Sequence, residues 1–567
     1  MTRNTKRILV GALVSVAVVG AGGLAYLEWA DVPLDELGEL VAEGPIERLD
    51  PSPEAHPGGA RVLVFALDGV GAQTFFEVVE AGEMPSVGAL IGEARGEDGQ
   101  LREHGWIVPD ALSILPSTTV AAWSSTFSGE PVSRTGVAGN EWFVREEMRF
   151  LAPAPVSVHG GAHTLRALND GLVGDAVQAA TVYERLRGRS HVSLMPVYRG
   201  ADVYTVPDPT AVSAIFETIS EAVLGEHEVT EEAYREVDTG SVDSIAQAVR
   251  EHGLPTLQVV YFPGIDLYTH VAREPLEAQR RYLREVLDPA IARVLELYRE
   301  RGELERTWVM FVSDHGHTPV LEDDAHALGV GTSEADEPTA ILEAGGFRVR
   351  PFELEADRDD YQAVLAYQGA IAYVYLADRA SCPEEGQRCD WRRAPRLEED
   401  VLPVVRAIDE AARGERALGG LAGAIDLIFA REPRAIGQDA LPYEVWDGEQ
   451  LVPVREWLAA NPRPDLLELA DRMDALSAGP HGHRAGDVLL LARSGLDRPI
   501  EERFYFSGPY RSWHGSPAAS DSRITFAVAR ASQDGAAIRT RVRESIGERP
   551  SQLDVADLIL ALASDDD

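Results

Sequence analysis

From residue 61 onward, short apolar runs alternate with longer amphipathic stretches, and this alternation limits the fold more tightly than any other property of the sequence. Arg61 to Leu67, Thr256 to Phe262, Thr307 to Val312, Ala370 to Leu376, Asp487 to Ala492 and Ile524 to Val528 are strand-like, dense in Val, Ile, Leu and Phe. Between and beyond them, 72–93, 210–224, 229–252, 275–300, 398–414 and 552–563 carry helical periodicity. A strand that is apolar on both faces must be covered twice. The pattern therefore predicts an α/β fold, a mostly parallel central sheet flanked by helices on both faces. No internal repeat is evident. The stretch 321–479 is poor in chemically suggestive residues and reads as partly a cap or insertion, so the catalytic domain is expected over 61–320 and 480–567.

In sheets of this kind ligands bind in the crevice beyond the carboxyl ends of the strands. Asp68 follows the first run, in Leu67-Asp68-Gly69-Val70. Asp266 and His270 follow the second, and Asp314 and His315 follow the third, in Ser313-Asp314-His315-Gly316. Taken singly, an Asp before Gly is a turn or cap residue and an Asp–His pair a hydrogen-bonded loop. Taken together, oxygen and imidazole ligands at three strand ends suit zinc, and the four-residue step from Asp266 to His270 can place both on one side of a turn. His514, in Trp513-His514-Gly515, precedes the last strand. These residues make nearly enough ligands for two metals. The missing oxygen could come from Pro116-Ser117-Thr118-Thr119, where a loop runs into a helix; such a Thr is otherwise an N-cap, but beside a metal it becomes a nucleophile.

At these residues the sequence resembles the alkaline phosphatase superfamily, and within it the type I phosphodiesterase and nucleotide pyrophosphatase family. The likeness runs from about residue 61 to 530 and is loosest across 320–480. It is most specific in Leu115-Pro116-Ser117-Thr118-Thr119, followed by Ser128-Gly129, Thr135-Gly136 and Gly139-Asn140-Glu141-Trp142. That family sets its nucleophilic Thr ten residues before a Gly and twenty-one before an Asn, and Thr119, Gly129 and Asn140 keep both intervals. The resemblance implies an alkaline phosphatase-like fold and two Zn2+ ions. Asp266, His270 and His514 would hold one; Asp68, Asp314, His315 and Thr119 would hold the other. Thr119, rather than Thr118, would attack phosphorus and form a phospho-threonine intermediate, with Asn140 donating to the phosphoryl oxygen. His514 is preferred over the nearby His481-Gly482-His483 because its distance from the final strand follows the family's last motif. His317 reads as loop, or as a side chain standing behind the ligands.

Some monoester-selective relatives present Lys-x-Arg-Gly to the phosphate, whereas this chain reads Val197-Tyr198-Arg199-Gly200. Arg199 is thus a candidate substrate-binding cation, or else a surface ion pair. One cation fewer favours diesters or pyrophosphates over the dianionic monoester. The expected function is a zinc-dependent, extracytoplasmic phosphodiesterase or nucleotide pyrophosphatase-like hydrolase acting on a small-molecule phosphoester. Alternatives are a monoester phosphatase or phosphonate hydrolase with the same metals, and a non-catalytic membrane-anchored binding protein. A sulfatase is disfavoured, since no Cys or Ser nucleophile stands at Thr119. The sequence carries no signal for an oligomeric state.

Charge and the N-terminal segment bear on the compartment. Lys and Arg number 52 against 93 Asp and Glu, a net charge of −41 that excludes general coating of nucleic acid. Arg3, Lys6 and Arg7 precede an uncharged run from Ile8 to Leu27, which at ~1.5 Å per residue spans the ~30 Å core of a bilayer. Residues 1–30 are expected to act as a signal anchor, or a signal peptide cut near Gly23 and Ala25, with the rest of the chain exported. The Pro- and acid-rich residues 31–60 read as a tether. The two cysteines, Cys382 and Cys389, are expected to close a short disulfide loop in an oxidising compartment.

Overall fold

The computed structural model describes residues 60–158, 162–207, 231–329, 337–415 and 420–565. In chain order its strands are β1 (Arg61–Leu67), β2 (Gly105–Ile107), β3 (Trp142–Val144), β4 (Arg149–Leu151), β5 (Ser190–Ser193), β6 (Val203–Thr205), β7 (Leu257–Phe262), β8 (Thr307–Ser313) and β9 (Thr318–Pro319). They continue with β10 (Ala363–Tyr367), β11 (Ile371–Leu376), β12 (Ile425–Ala430), β13 (Glu444–Trp446), β14 (Leu451–Pro453), β15 (Val488–Ala492), β16 (Ser512–Trp513) and β17 (Phe526–Ala529).

Seven strands form the main sheet in the order β2-β17-β8-β1-β7-β5-β6. β8, β1, β7, β5 and β6 pair in parallel, while β17 runs against both β8 and β2. The fold is α/β with a mostly parallel central sheet, as the alternation of runs requires. Along β1 the period of two sorts residues between two cores. Val62, Val64 and Ala66 join Trp308, Met310 and Val312 on one face, and Leu63, Phe65 and Leu67 join Val309 and Phe311 on the other. Trp123 and Phe127 of helix Thr119–Ser128, Ile538 of helix Gly535–Ile546 and Leu558 of helix Val555–Ala563 cover the first face. Phe75, Val87, Val242, Ile265 and Ile291, each from a different helix, cover the second.

A second, six-stranded sheet, β10-β11-β15-β12-β13-β14, is antiparallel throughout. One face, with Tyr373, Tyr375, Leu489 and Leu491, shares the core of the first sheet; the other packs Val374 and Leu490 with Val405 and Ile408 of helix Leu402–Ala412. Two of the six strand-like runs, at 370–376 and 487–492, therefore belong here and not to the parallel sheet. A run buried on both faces has the same composition in either sheet, so local pattern does not reveal its partner. The helical pattern over 72–93 is in fact two helices, Ala72–Glu80 and Pro85–Ile91. Gly82, at φ +71°, ends the first, and Pro85 takes the first position of the second, where its missing N–H costs nothing.

Cys382 and Cys389 are joined by a disulfide. Among the described residues no helix is long and apolar enough to cross a membrane. The expected anchor, all of the expected tether except Ala60, and the helical pattern at 210–224 lie outside the described residues.

Candidate metal centre

The hydrogen-bond ladder sets Leu67 of β1 opposite Phe262 of β7 and Ser313 of β8, so three adjacent parallel strands end level. The residues that follow are delivered to one place. Asp68 and Asp314 come directly off their strands. Asp266 sits in the first turn of the helix Gly264–Val271 that follows β7, and His270 one turn later, its Nε2 3.4 Å from Asp266 Oδ2. Gly69 has φ +68°, and a Cβ there would fall 2.5 Å from Asp266 Oδ1 and 2.6 Å from His317 Nε2; only glycine leaves room for them.

Hydrogen bonds around these side chains leave their ligand atoms unspent. The Tyr261 phenol on β7 donates to Asp68 Oδ2, and the backbone N–H groups of Gly69 and His315 both donate to Asp314 Oδ1 at 3.0 Å. Asp68 Oδ1 and Asp314 Oδ2 are buried without a hydrogen-bond partner. They lie 3.5 and 3.3 Å from His315 Nε2. His315 Nδ1 donates to the Gly316 carbonyl at 3.0 Å, His270 Nδ1 to that of Ser512 at 2.7 Å and His514 Nδ1 to that of Ser117 at 2.9 Å. With Nδ1 donating to a carbonyl, the Nε2 atom is the one each ring can offer to a metal. A buried polar atom without a partner costs on the order of 1–3 kcal/mol, more for a charged one, so the two carboxylate oxygens and the Nε2 atoms fit a bound cation. The mixed carboxylate and imidazole set suits zinc.

Three overlapping groups have all their ligand atoms within 4.8 Å of one another: Asp68, Asp314 and His315; Asp266, His315 and His514; and Asp266, His270 and His317. The first is the expected set, and Thr119 Oγ1 lies 3.2 Å from His315 Nε2 beside it. Around Asp266 the grouping differs from the expected Asp266, His270 and His514: His514 joins Asp266 with His315, and His270 joins Asp266 with His317. His514 stacks on His315 with ring centroids 3.6 Å apart, and His317 Nε2 sits 2.7 Å from Asp266 Oδ1 while its Nδ1 meets Ser512 Oγ at 3.1 Å. His317 is thus part of the cluster and not plain loop. The short pairing of β9 with β16, Thr318 opposite Trp513, brings the two histidine segments together.

Burial and the charges of Asp314 and Asp266 push the Asp68 carboxyl well above its ordinary range, and burial raises Asp314. Burial also acts upward on Asp266, but His270 and His317 beside it hold it well below. Burial, with His315 alongside, lowers His514 well below an ordinary imidazole, and burial lowers His317 to about 4. Protons and a cation compete for these atoms, and a cation would draw the protons off Asp68 and Asp314.

Thr119 is the first residue of helix Thr119–Ser128 and is partly exposed, whereas its N-cap Thr118 is fully buried with Oγ1 unpartnered. Asn140 Oδ1 accepts from Val120 N–H at 3.0 Å, which fixes the carboxamide at the helix start next to Thr119. Arg199 stands apart from the cluster. Its guanidinium donates to the carbonyls of Gly174, Val177 and Ala179 and pairs with Glu184, so it braces local backbone. His481 and His483 also lie elsewhere, where Glu146 faces His483 at 3.5 Å. Sequence reasoning passed over Tyr261, whose only signal is its place near the end of a buried strand.

The sequence model of the family described as type I phosphodiesterase / nucleotide pyrophosphatase matches residues 62–403. None of the curated proteins matches the chain. Among solved structures it is similar to murine ectonucleotide pyrophosphatase/phosphodiesterase 5, with a TM-score of 0.49 at 12% identity over 89% of this chain and 95% of that one. An inactive form of that murine protein in complex with AMP gives 0.48 at 11%, with the same coverage. Phosphonoacetate hydrolase from Sinorhizobium meliloti 1021, in complex with phosphonoformate, gives 0.47 at 13% over 92% of this chain and 99% of that one.

Proposed function

Because the chain belongs to the type I phosphodiesterase / nucleotide pyrophosphatase family, we propose that it is a two-zinc hydrolase that cleaves small-molecule phosphodiesters or pyrophosphates through a phospho-threonine on Thr119. The observation that carries this reading is the convergence at Thr119. The hydroxyl of the partly exposed Thr119, the unspent oxygens of Asp68 and Asp314, and Nε2 of His315 meet beside three level strand ends.

Bound zinc would be held by Asp68, Asp314, His315 and Thr119 at one position and by Asp266, His270 and His514 at the other, and would supply Lewis acidity to the phosphoryl oxygens and the Thr119 hydroxyl. Thr119 Oγ1 attacks phosphorus in line with the departing oxygen, and water then hydrolyses the phospho-threonine to restore the hydroxyl. Asn140 has committed Oδ1 to Val120, so Nδ2 is the atom it can offer to a phosphoryl oxygen as charge develops. Val197 is fully buried and Arg199 is engaged by carbonyls and Glu184, so the Val197–Gly200 segment offers no cation to the extra charge of a monoester. This supports diesters or pyrophosphates as substrates.

Residues 1–30 are proposed to direct export, leaving the hydrolase extracytoplasmic. The Cys382–Cys389 bridge supports an oxidising compartment. The decisive test of the activity is the ratio of kcat/KM for an aryl phosphodiester to that for an aryl phosphate monoester on the purified, zinc-loaded protein. A ratio well above one is expected; a ratio below one would make the enzyme a monoesterase. Turnover of neither, with metal bound, would overturn the hydrolase reading.

A further inference from the structure

The antiparallel sheet supplies none of the ligand atoms, yet the turn between β10 and β11 reaches the centre from behind. Gln368, on that turn, is fully buried. Its Oε1 accepts from the backbone N–H of Asn140 at 2.7 Å, and its Nε2 donates to the carbonyl of Glu141. The neighbouring Tyr367 N–H donates to Glu141 Oε1 at 2.7 Å. The turn is fixed independently of this side chain. Gln368 N–H bonds the Ile371 carbonyl at 2.7 Å, Ala370 N–H bonds that of His514 at 3.0 Å, and the Gly369 carbonyl accepts from Phe506 N–H at 2.6 Å. Gly139, the residue before Asn140, would place a Cβ 2.0 Å from Gln368 Oε1, so the approach is closed to any other residue while this contact stands.

From these contacts we infer that Gln368 is a positioning residue: it clamps the Asn140–Glu141 backbone so that the Asn140 carboxamide is held over the start of the Thr119 helix. The inference rests on the role given to Asn140 in the proposed function. The path is short and each link is a hydrogen bond: the turn holds Gln368, Gln368 holds the Asn140 backbone, and Asn140 Oδ1 is seated on Val120 N–H at 3.0 Å. A donor that acts on developing charge loses most of its effect when displaced by about an ångström, so loosening the clamp should slow the chemical step without weakening ground-state binding. Metal should be unaffected, because His514 is tied to the turn through backbone atoms that the Gln368 side chain does not share.

Gln368→Met keeps the volume and removes both hydrogen bonds. In the zinc-loaded protein it is expected to lower kcat for an aryl phosphodiester by about 10- to 100-fold, with KM within about twofold and zinc content equal to the parent's. Gly139→Ala pushes on the same contact from the other side, should give the same split, and serves if Gln368→Met does not fold. Two residues acting as one unit are non-additive, so adding Gln368→Met to Asn140→Ala should change kcat by less than about twofold. Unchanged kcat in Gln368→Met, multiplication of the two losses, or zinc loss in parallel with activity would each overturn the positioning role. Asn140→Ala alone separates the two failures. Full activity there removes Asn140 from the reaction and the positioning role with it, whereas a slow Asn140→Ala beside a fully active Gln368→Met overturns the positioning role only.

Discussion

The two large sheets both contain apolar strands buried on both faces, yet the strand ends of one deliver Asp68, Asp266, His270, Asp314 and His315 and those of the other deliver no ligand. In the main sheet β8, β1 and β7 are neighbours and parallel, so their carboxyl ends lie on one edge and Asp314, Asp68 and Asp266 arrive together. In the second sheet every neighbour is reversed, so strand ends are shared between two edges and each edge is filled by turns. A parallel sheet therefore concentrates chemistry, and an antiparallel one offers short, stiff turns that can press on it. The turn at Gln368 is what this second kind of architecture contributes.

The sharpest way to break this division is at Thr119. Thr119→Ala should lower kcat for a phosphodiester by at least about a thousandfold while zinc stays bound, because one hydroxyl adds little to metal affinity and no neighbour can replace it in line. Thr118→Ala, at a buried hydroxyl without a hydrogen-bond partner, should keep much of the activity; the reverse result would shift the nucleophile by one residue and take Asn140 with it. Next in size is Asp314→Ala, which removes a carboxylate from the level strand ends. Metal analysis should fall from about two zinc ions per chain to about one, with turnover lost in step. Retention of both ions would show that the strand ends are not the metal scaffold.

Away from the Gln368 turn, effects in the second region should be confined to stability. Cys382→Ser opens the short loop and should cost about 2 kcal/mol in denaturant unfolding, with kcat at 25 °C within about twofold of the parent. A large loss of kcat in the folded variant would show that the regions are coupled through more than the Gln368 turn. Smallest of all is Arg358→Ala. Hydrogen bonding to Arg358 holds the Asp360 carboxyl at about 2, below its ordinary 3.8, and Asp360 in turn accepts from Gly386 N–H in the disulfide loop at 2.8 Å. The folded value is depressed, so the stabilisation is complete above the ordinary value and is lost as the pH falls through about 2. Arg358 is nearly half exposed, which limits the pair to below about 1 kcal/mol at neutral pH. Its removal should move the acid-unfolding midpoint upward and leave kcat unchanged.

What the sequence revealed follows the same division. Asp68, Asp266, His270, Asp314 and His315 are legible because each follows an apolar run, and strand ends can be found without knowing which strands pair. His514 needed the family's spacing, since it follows no long strand and reaches the centre through the two-residue pairing of β16 with β9. Gln368 carries no local signal, and Tyr261 only its place near the end of a buried strand. Their roles exist only once β10–β11 is seated behind Asn140 and β7 beside β1, and both seatings are tertiary. His317 was visible but undervalued, because a His two residues beyond a ligand is indistinguishable from loop until Asp266 is placed against it. β5 and β6 escaped notice for a simpler reason: Ser190-His191-Val192-Ser193 is too short and polar to read as a strand alone.

The level ending of β1, β7 and β8 also makes the centre a fixed address to which the chain returns. It departs after Asp68, comes back at Asp266, departs again and comes back at Asp314, and each return is indexed by ladder hydrogen bonds and not by the length of the excursion between. A one-residue slip in any of these strands would exchange the side chains packed into its two cores, which holds the register. The excursions can therefore be lengthened, pruned or exchanged in evolution while the carboxylates keep their spacing. The second sheet is a further excursion, made between Asp314 and the return at His514, with a core on its outer face, a shared core on its inner face and hydrogen bonds such as that of Gln368 tying it to the address.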